Sequence, residues 1–275
     1  MILVLLLLFG TVAAWHNLCH ALILQIALDT LDTTAQSNVR KQLEYLQHDH
    51  LNLHDAYSAT NWPDLLKKQS AFEYTWRWHV VDMRERMKRK GTFRTDEANA
   101  IDQLATLQSR THLSPLSNSN SWNLRMIVHI VGDLHQPLHT TDGSQTWIRF
   151  SNHTETLHFF TDHAAGAVPN PNTLPLSSND VDLLRLQAVS IARLCSVTES
   201  IDFSQWATDS FQTGERIYRI VGNGTDVKLT EEQIAQLQSI LLKQVTSVSA
   251  ESTSGTCCSL SPTPPFRSLS SFSSF

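Results

Sequence analysis

"HIVGDLHQPLHTTD" (residues 129–142) packs three histidines and two aspartates beside Met126, Ile127 and Val128, which read as buried. On a helix, residues four apart share a face, so His129 and Asp133 point the same way. Ile127, Ile130, Val131 and Leu134 fall on the other side, toward a core. Pro137 ends the helix, and His139 follows on the turn. Charges placed this close to a core need partners that neutralise them.

The same spacing recurs downstream as His158 and Asp162 in "LHFFTDH". Asp64 in "NWPDLLK", His79 in "WRWHVVD" and His20 stand upstream. Imidazole and carboxylate are ligands that zinc accepts without any thiolate. One such histidine alone is more often a satisfied polar residue. Two His-x-x-x-Asp pairs together with His139 point to a metal site. His135 shares the motif but suits a supporting hydrogen bond better than ligation. His16, His48, His50, His54, His112, His153 and His163 have no partner pattern and read as surface or capping residues.

The surrounding chain is helical almost throughout. Apolar residues recur at helical spacing over residues 20–31, 38–48, 71–90, 95–112, 122–136, 182–195, 204–221 and 231–245. Thr95 and Thr230 are the expected N-caps of two of these, with Glu231 and Glu232 in the first turn after Thr230. Only "TWIRF" (146–150) reads as strand. The fold class is all-α.

At 275 residues with 17% charged positions, the chain is globular rather than disordered. "MILVLLLLFGTVAA" (1–14) has a short apolar core and then small residues, as in a secretory signal peptide cleaved before Trp15. Residues 15–246 then form one domain. Residues 247–275, rich in Ser, Pro and Thr, read as a disordered tail. No membrane span is visible, and the chain is expected to be a secreted monomer. The formal charge of −5 argues against a simple electrostatic nucleic-acid binder, though not against a metalloenzyme whose cations supply the positive field. Cys19, Cys195, Cys257 and Cys258 permit disulfides in an oxidising compartment but fix no pairing. Asn152-His153-Thr154 and Asn223-Gly224-Thr225 are glycosylation sequons.

Taken in order, these motifs resemble the secreted zinc-dependent single-strand nucleases and 3′-nucleotidases, the type I nucleases, which share their fold with zinc-dependent phospholipase C. Trp15 through His20 stand where the family has Trp-Gly-x-x-Gly-His. Trp62-Pro63-Asp64 and Trp78-His79 match its Trp-x-Asp and Trp-His. Residues 129–139 match His-x-x-Gly-Asp-x-His-Gln-Pro-Leu-His, and Leu157-His158 with Asp162 matches Leu-His-x-x-Trp-Asp. The likeness covers about residues 15–245.

The resemblance implies three zinc ions. One falls to Asp64, His79, His129 and Asp133. A second falls to His139, His158 and Asp162. The third falls to the freed amino group and carbonyl of Trp15, to His20 and to a bridging oxygen of Asp133. Three such ions outweigh three carboxylates and draw a phosphodiester to an acidic protein. Metal also lowers the pKa of bound water, to about 7 in favourable sites. The implied reaction is hydrolysis of single-stranded RNA and DNA to 5′-phosphates, with 3′-nucleotidase activity. Asp64 would orient the nucleophile, Lys67 stabilise the pentacoordinate state and Asp82 recognise the base. Val80 stands where an aromatic residue often follows the zinc-bound histidine, and "DGSQTW" replaces a Gly-Gly-Asn segment, with Ser144 or Gln145 in place of Asn. His16 and Cys19 replace two glycines, and Thr161 replaces a Trp. Two other readings share the scaffold: a zinc phospholipase C, and a zinc-binding secreted protein with weakened catalysis.

Overall fold

The computed structural model describes residues 15–46, 51–88, 98–112, 115–141, 146–169, 173–191, 201–222 and 224–251. The expected signal peptide, most of the tail, Cys195, Cys257, Cys258, Ser144 and Gln145 lie outside them. Helices dominate the described residues, as the all-α reading requires. The first four are α1 (Asn17–Asp29), α2 (Thr33–Glu44), α3 (Ala56–Ala59) and α4 (Trp62–Leu66). Then come α5 (Met83–Lys88), α6 (Ala100–Arg110), α7 (Asn118–His135) and α8 (Leu157–Asp162). The last three are α9 (Ser178–Ile191), α10 (Phe203–Val221) and α11 (Glu231–Glu251). No helix among the described residues is long and apolar enough to cross a membrane.

α7 is the axis of the site. It contacts α1, α2, α4, α6, α10 and α11. Ile130 and Leu134 are buried in the core they share. Arg125, fully buried on the same helix, donates from Nε to the Leu43 carbonyl at 2.9 Å and stacks over Trp62 at 5.7 Å. This ties the end of α2 and the start of α4 to the central helix. Cys19 is a buried free thiol in α1.

Side-chain caps set most helix starts. Asp32, Asp55, Asn99, Ser117, Thr156 and Asp202 each accept from backbone N–H groups of the turn that follows. Asn99 therefore starts α6, and the expected Thr95 lies outside the described residues. At Thr230, Oγ1 accepts from Gln233 N–H while the Gln233 side chain accepts from Thr230 N–H, a reciprocal capping box. α11 runs on to Glu251, beyond the 231–245 window that periodicity delimits.

Two expectations are corrected. The 71–90 helix is broken: a 3-10 helix (Ser70–His79) ends at His79, residues 80–82 are extended or irregular, and α5 begins at Met83. The break has a cause. Val81 N–H donates to the His139 carbonyl at 2.9 Å and Met83 N–H to the Thr140 carbonyl at 3.2 Å, so these amides are taken by another segment. The strand content is also larger than one run. β1 (Trp147–Phe150) pairs antiparallel with β2 (His153–Thr156) and parallel with β3 (Asp226–Lys228). This small sheet delivers the chain to α8, since Leu157 N–H donates to the Thr146 carbonyl at 2.7 Å.

Candidate metal centre

Six elements bring the expected side-chain ligands together: α1 carries His20, α4 Asp64, the Ser70–His79 helix His79, α7 His129 and Asp133, α8 His158 and Asp162, and the short 3-10 turn Pro137–His139 after α7 His139. α10 holds that turn closely. A Cβ on Gly214 would lie 2.8 Å from the Pro137 carbonyl and 2.4 Å from the Thr141 methyl, so only glycine lets the two approach.

Asp133 is the hub. Its Oδ2 lies 2.7 Å from His79 Nδ1 and 3.1 Å from His129 Nε2. Its Oδ1 lies 3.4 Å from His20 Nε2 and 3.6 Å from His139 Nδ1. Asp64 Oδ1 stands 3.4 Å from His129 Nε2 and 3.6 Å from His79 Nδ1. On the far side, the Nε2 atoms of His139 and His158 are 3.1 Å apart, and Asp162 Oδ2 is 3.8 Å from His158 Nε2. Ligand atoms converge closely enough to hold a metal ion in three groups among the described residues: His20, His129 and Asp133; Asp64, His79 and His129; His139, His158 and Asp162. His135 belongs to none of them; its Nδ1 donates to the Val131 carbonyl at 2.8 Å. His16 caps α1, as a residue outside the ligand pattern should.

The donor set fits a cation. Buried polar groups normally have hydrogen-bond partners. Here both ring nitrogens of His20, Nε2 of His79, and one carboxylate oxygen each of Asp133 and Asp162 are buried without one. The second ring nitrogens support the same reading. His129 Nδ1 donates to the Thr60 carbonyl at 2.7 Å and His139 Nδ1 to the His79 carbonyl at 2.9 Å. A carbonyl only accepts, so these bonds place a proton on each Nδ1 and leave Nε2 as the nitrogen that can face a metal, a lone pair on neutral His139 and, on His129, one that appears when its second proton is lost.

Burial and mutual charge push the groups apart in pKa. Burial lowers His79 to about 4 and His139 to about 3, so both imidazoles are neutral at physiological pH. Burial also opposes a charge on His129, but Asp133 and Asp64 outweigh it and raise it to about 10. Asp133 stays well below the usual carboxylate range despite its burial, held there by His129 and His139. Burial, aided by Asp64 and Asp133, pushes Asp162 well above that range.

Lys67 and Asp82 fall at the edge. Lys67 Nζ is 2.5 Å from Asp64 Oδ1. Burial disfavours its charge, yet Asp64 and Asp133 keep its pKa raised. Asp82 is exposed, in the segment pinned to His139 and Thr140. Trp15 is fully buried; its indole donates to the Gly132 carbonyl at 2.7 Å, and the next amide, His16 N–H, donates to the Asp162 carbonyl at 2.8 Å. One residue escaped sequence reasoning: Gln136, fully buried, hydrogen-bonds Asp162 Oδ1 and also accepts from Leu138 N–H. Its only sequence signal was its place inside the His-rich motif.

The S1/P1 Nuclease family matches residues 15–249. The chain belongs to that family. A curated relative, Nuclease S1 of Aspergillus oryzae (strain ATCC 42149 / RIB 40), is 26% identical over 157 residues. That alignment takes in 54% of this chain and 53% of the relative, so the chain spans about half the length of the curated protein it matches.

Proposed function

We propose that this S1/P1-family chain is a secreted, zinc-dependent phosphodiester hydrolase that cuts single-stranded RNA and DNA and removes the phosphate of 3′-nucleotides. One observation carries the reading: of three metal-capable groups, one contains Asp133 and each of the other two has a histidine within 3.6 Å of that carboxylate, and several of their buried polar atoms lack hydrogen-bond partners. Asp64, His79, His129 and Asp133 would hold one zinc, and His139, His158 and Asp162 a second. His20, Asp133 and the freed amine and carbonyl of Trp15 would hold a third. Zinc bound there would supply Lewis acidity and make water a usable nucleophile near neutral pH.

The chain's own residues do the rest. Asp64 orients the attacking water through its carboxylate, and Asp133 fixes His79 and His129 by short contacts. Lys67, an Nζ cation against Asp64, faces the phosphoryl group whose oxygens gain charge as water adds. Water adds to phosphorus, the P–O3′ bond breaks, and O3′ takes a proton, leaving a 5′-phosphate and a 3′-hydroxyl. Asp82, exposed at the rim, accepts from a base edge. The site is deeply buried, with His158 the most open of its ligands. A stacked duplex holds its phosphates away from such a recess, whereas a single strand can bend in.

The test is metal analysis of the secreted protein combined with hydrolysis of denatured and native DNA, RNA and phosphatidylcholine. The proposal expects three zincs per chain, faster cleavage of single strands than of duplex, and no phospholipid turnover. Equal rates on unmelted duplex and single strand would refute the substrate reading. Full zinc with no turnover on any nucleic acid would leave a zinc-binding protein and refute the enzyme.

A further inference from the structure

Between Lys67 and His79 the chain leaves the metal-capable recess and returns to it, and residues 72–78 carry Phe72, Tyr74, Trp76 and Trp78. Tyr74 is 57% exposed and Trp76 51% exposed, unusual for side chains that are mostly buried on average. Their setting is ordered. Tyr74 meets Trp78 edge to face at 5.6 Å, Trp78 meets Trp122 at 5.9 Å, and Trp122 meets Trp62 at 6.1 Å. Trp62 is buried two residues before Asp64. An aromatic line therefore runs from solvent to the helix that bears a site carboxylate. The Arg77 guanidinium lies over the Trp76 ring, 5.7 Å from its centroid. With Lys67 paired to Asp64, Lys68 and Arg77 still outnumber the one acid of this stretch, Glu73, on a protein whose net charge is −5.

We propose that Tyr74, Trp76 and Arg77 form a base-stacking platform for single-stranded nucleic acid, which binds nucleotides next to the one being cleaved. The proposal rests on the nuclease reading above and extends it. Two observations select this occupant. The platform is continuous with the candidate site, because the helix that carries it ends in His79. Its chemistry, exposed π faces with a guanidinium beside them, is what holds single strands without reading sequence. Val80, directly after His79, offers no stacking face, so the aromatic surface here precedes the histidine instead. Trp76 lies one 3-10 turn before His79, about 6 Å of axial rise, and Tyr74 about 10 Å. A mononucleotide held by the metal-capable groups does not reach both; an oligonucleotide does. The platform therefore confers preference for chain length rather than for a base.

Kinetics of the zinc-loaded protein beginning at Trp15 test this, with an oligothymidylate of about eight nucleotides and thymidine 3′-monophosphate as substrates. Trp76→Ala should raise KM for the oligonucleotide about tenfold while kcat and the mononucleotide KM stay unchanged. Trp76→Phe keeps a stacking face and should recover most of the loss. An unchanged oligonucleotide KM in Trp76→Ala, or an equal rise for both substrates, overturns the platform. If the native chain hydrolyses neither substrate, the nuclease reading has failed by itself. Fluorescence anisotropy of a labelled oligothymidylate on the same protein then decides. About tenfold weaker binding by Trp76→Ala upholds the platform, and equal binding or none by the native chain overturns it. Loss of a dimer in Trp76→Ala with no change in KM would make this face a self-association surface and also overturn it.

Discussion

Gly132 and His20 touch: a Cβ built on Gly132 would lie 2.8 Å from His20 Nδ1 and 3.1 Å from its Cε1. The glycine sits mid-helix in α7, one residue before Asp133, where alanine is the better helix former by about 1 kcal/mol. Its presence makes sense as a cradle for an imidazole that must reach Asp133. Gly132→Ala should therefore separate fold from site. Thermal unfolding of the EDTA-treated protein should shift only slightly, because the helix-propensity gain offsets part of the overpacking against buried His20, while the zinc-loaded protein should lose about one metal equivalent and most of its turnover. Unchanged zinc content and rate would show that His20 has room to shift and that its position is not critical.

Proton release should accompany zinc loading. His129 is held protonated to about pH 10 by Asp133 and Asp64, whereas His79 and His139 are already neutral. Loading a metal-free sample at pH 7 in weak buffer should release at least one proton per chain as His129 gives up its own. The same shifts shape stability without metal. The raised His129 contributes stability that is full below its ordinary pKa of 6.5 and lost as pH rises through about 10. The lowered His79 and His139 contribute stability that is full above 6.5 and lost as pH falls through about 4 and about 3. A melting temperature of the EDTA-treated chain that peaks near neutrality is expected. Loading without proton release would place the ligand proton elsewhere.

The metal-capable groups were legible because they obey local geometry: His129 with Asp133 and His158 with Asp162 repeat at i,i+4 on real helices, α7 and α8. What sequence left hidden depends on distant partners. The break after His79 exists because amides of residues 81 and 83 bond carbonyls of residues 139 and 140, which no local pattern announces. Gln136 looks like an ordinary helix-end residue until α8 brings Asp162 against it. β3 is three residues long and acquires its strand identity only by pairing with β1, far back in the chain. Asn99 starts α6 by accepting from the backbone N–H groups of Ile101 and Asp102, a bond that the apolar pattern does not announce.

Lys67 offers a cleaner mutational separation than the ligands do. Its ammonium contacts Asp64 and carries no free lone pair toward metal while charged. Lys67→Met should keep zinc content and lower kcat about a hundredfold, the cost typical of one lost donor to a developing oxyanion. KM should move far less. Lys67→Arg retains the charge and should recover part of the rate. A full rate in Lys67→Met would reduce the residue to a counter-ion for Asp64.

Trp15 gives the sharpest test of the third zinc. Its indole is anchored on the Gly132 carbonyl and the following amide on the Asp162 carbonyl, so its main chain is clamped between α7 and α8. Cleavage before Trp15 would expose an α-amine there, with an ordinary pKa of about 7.7–8.0. Metal binding displaces that proton, because ligation and deprotonation are linked. Any residue added in front converts the amine into an amide, a poor ligand. Protein made with an extra Gly-Ser before Trp15, and with His20 intact, should lose one zinc of three. Its turnover should fall at least tenfold, about 1.4 kcal/mol of transition-state stabilisation. The fold should persist, since the anchors of Trp15 and His16 do not use the amine. Mass spectrometry of the secreted protein should find Trp15 first. If the extended protein holds three zincs and cleaves RNA at the native rate, the amine is no ligand, and removal of residues 1–14 has no role in building the site.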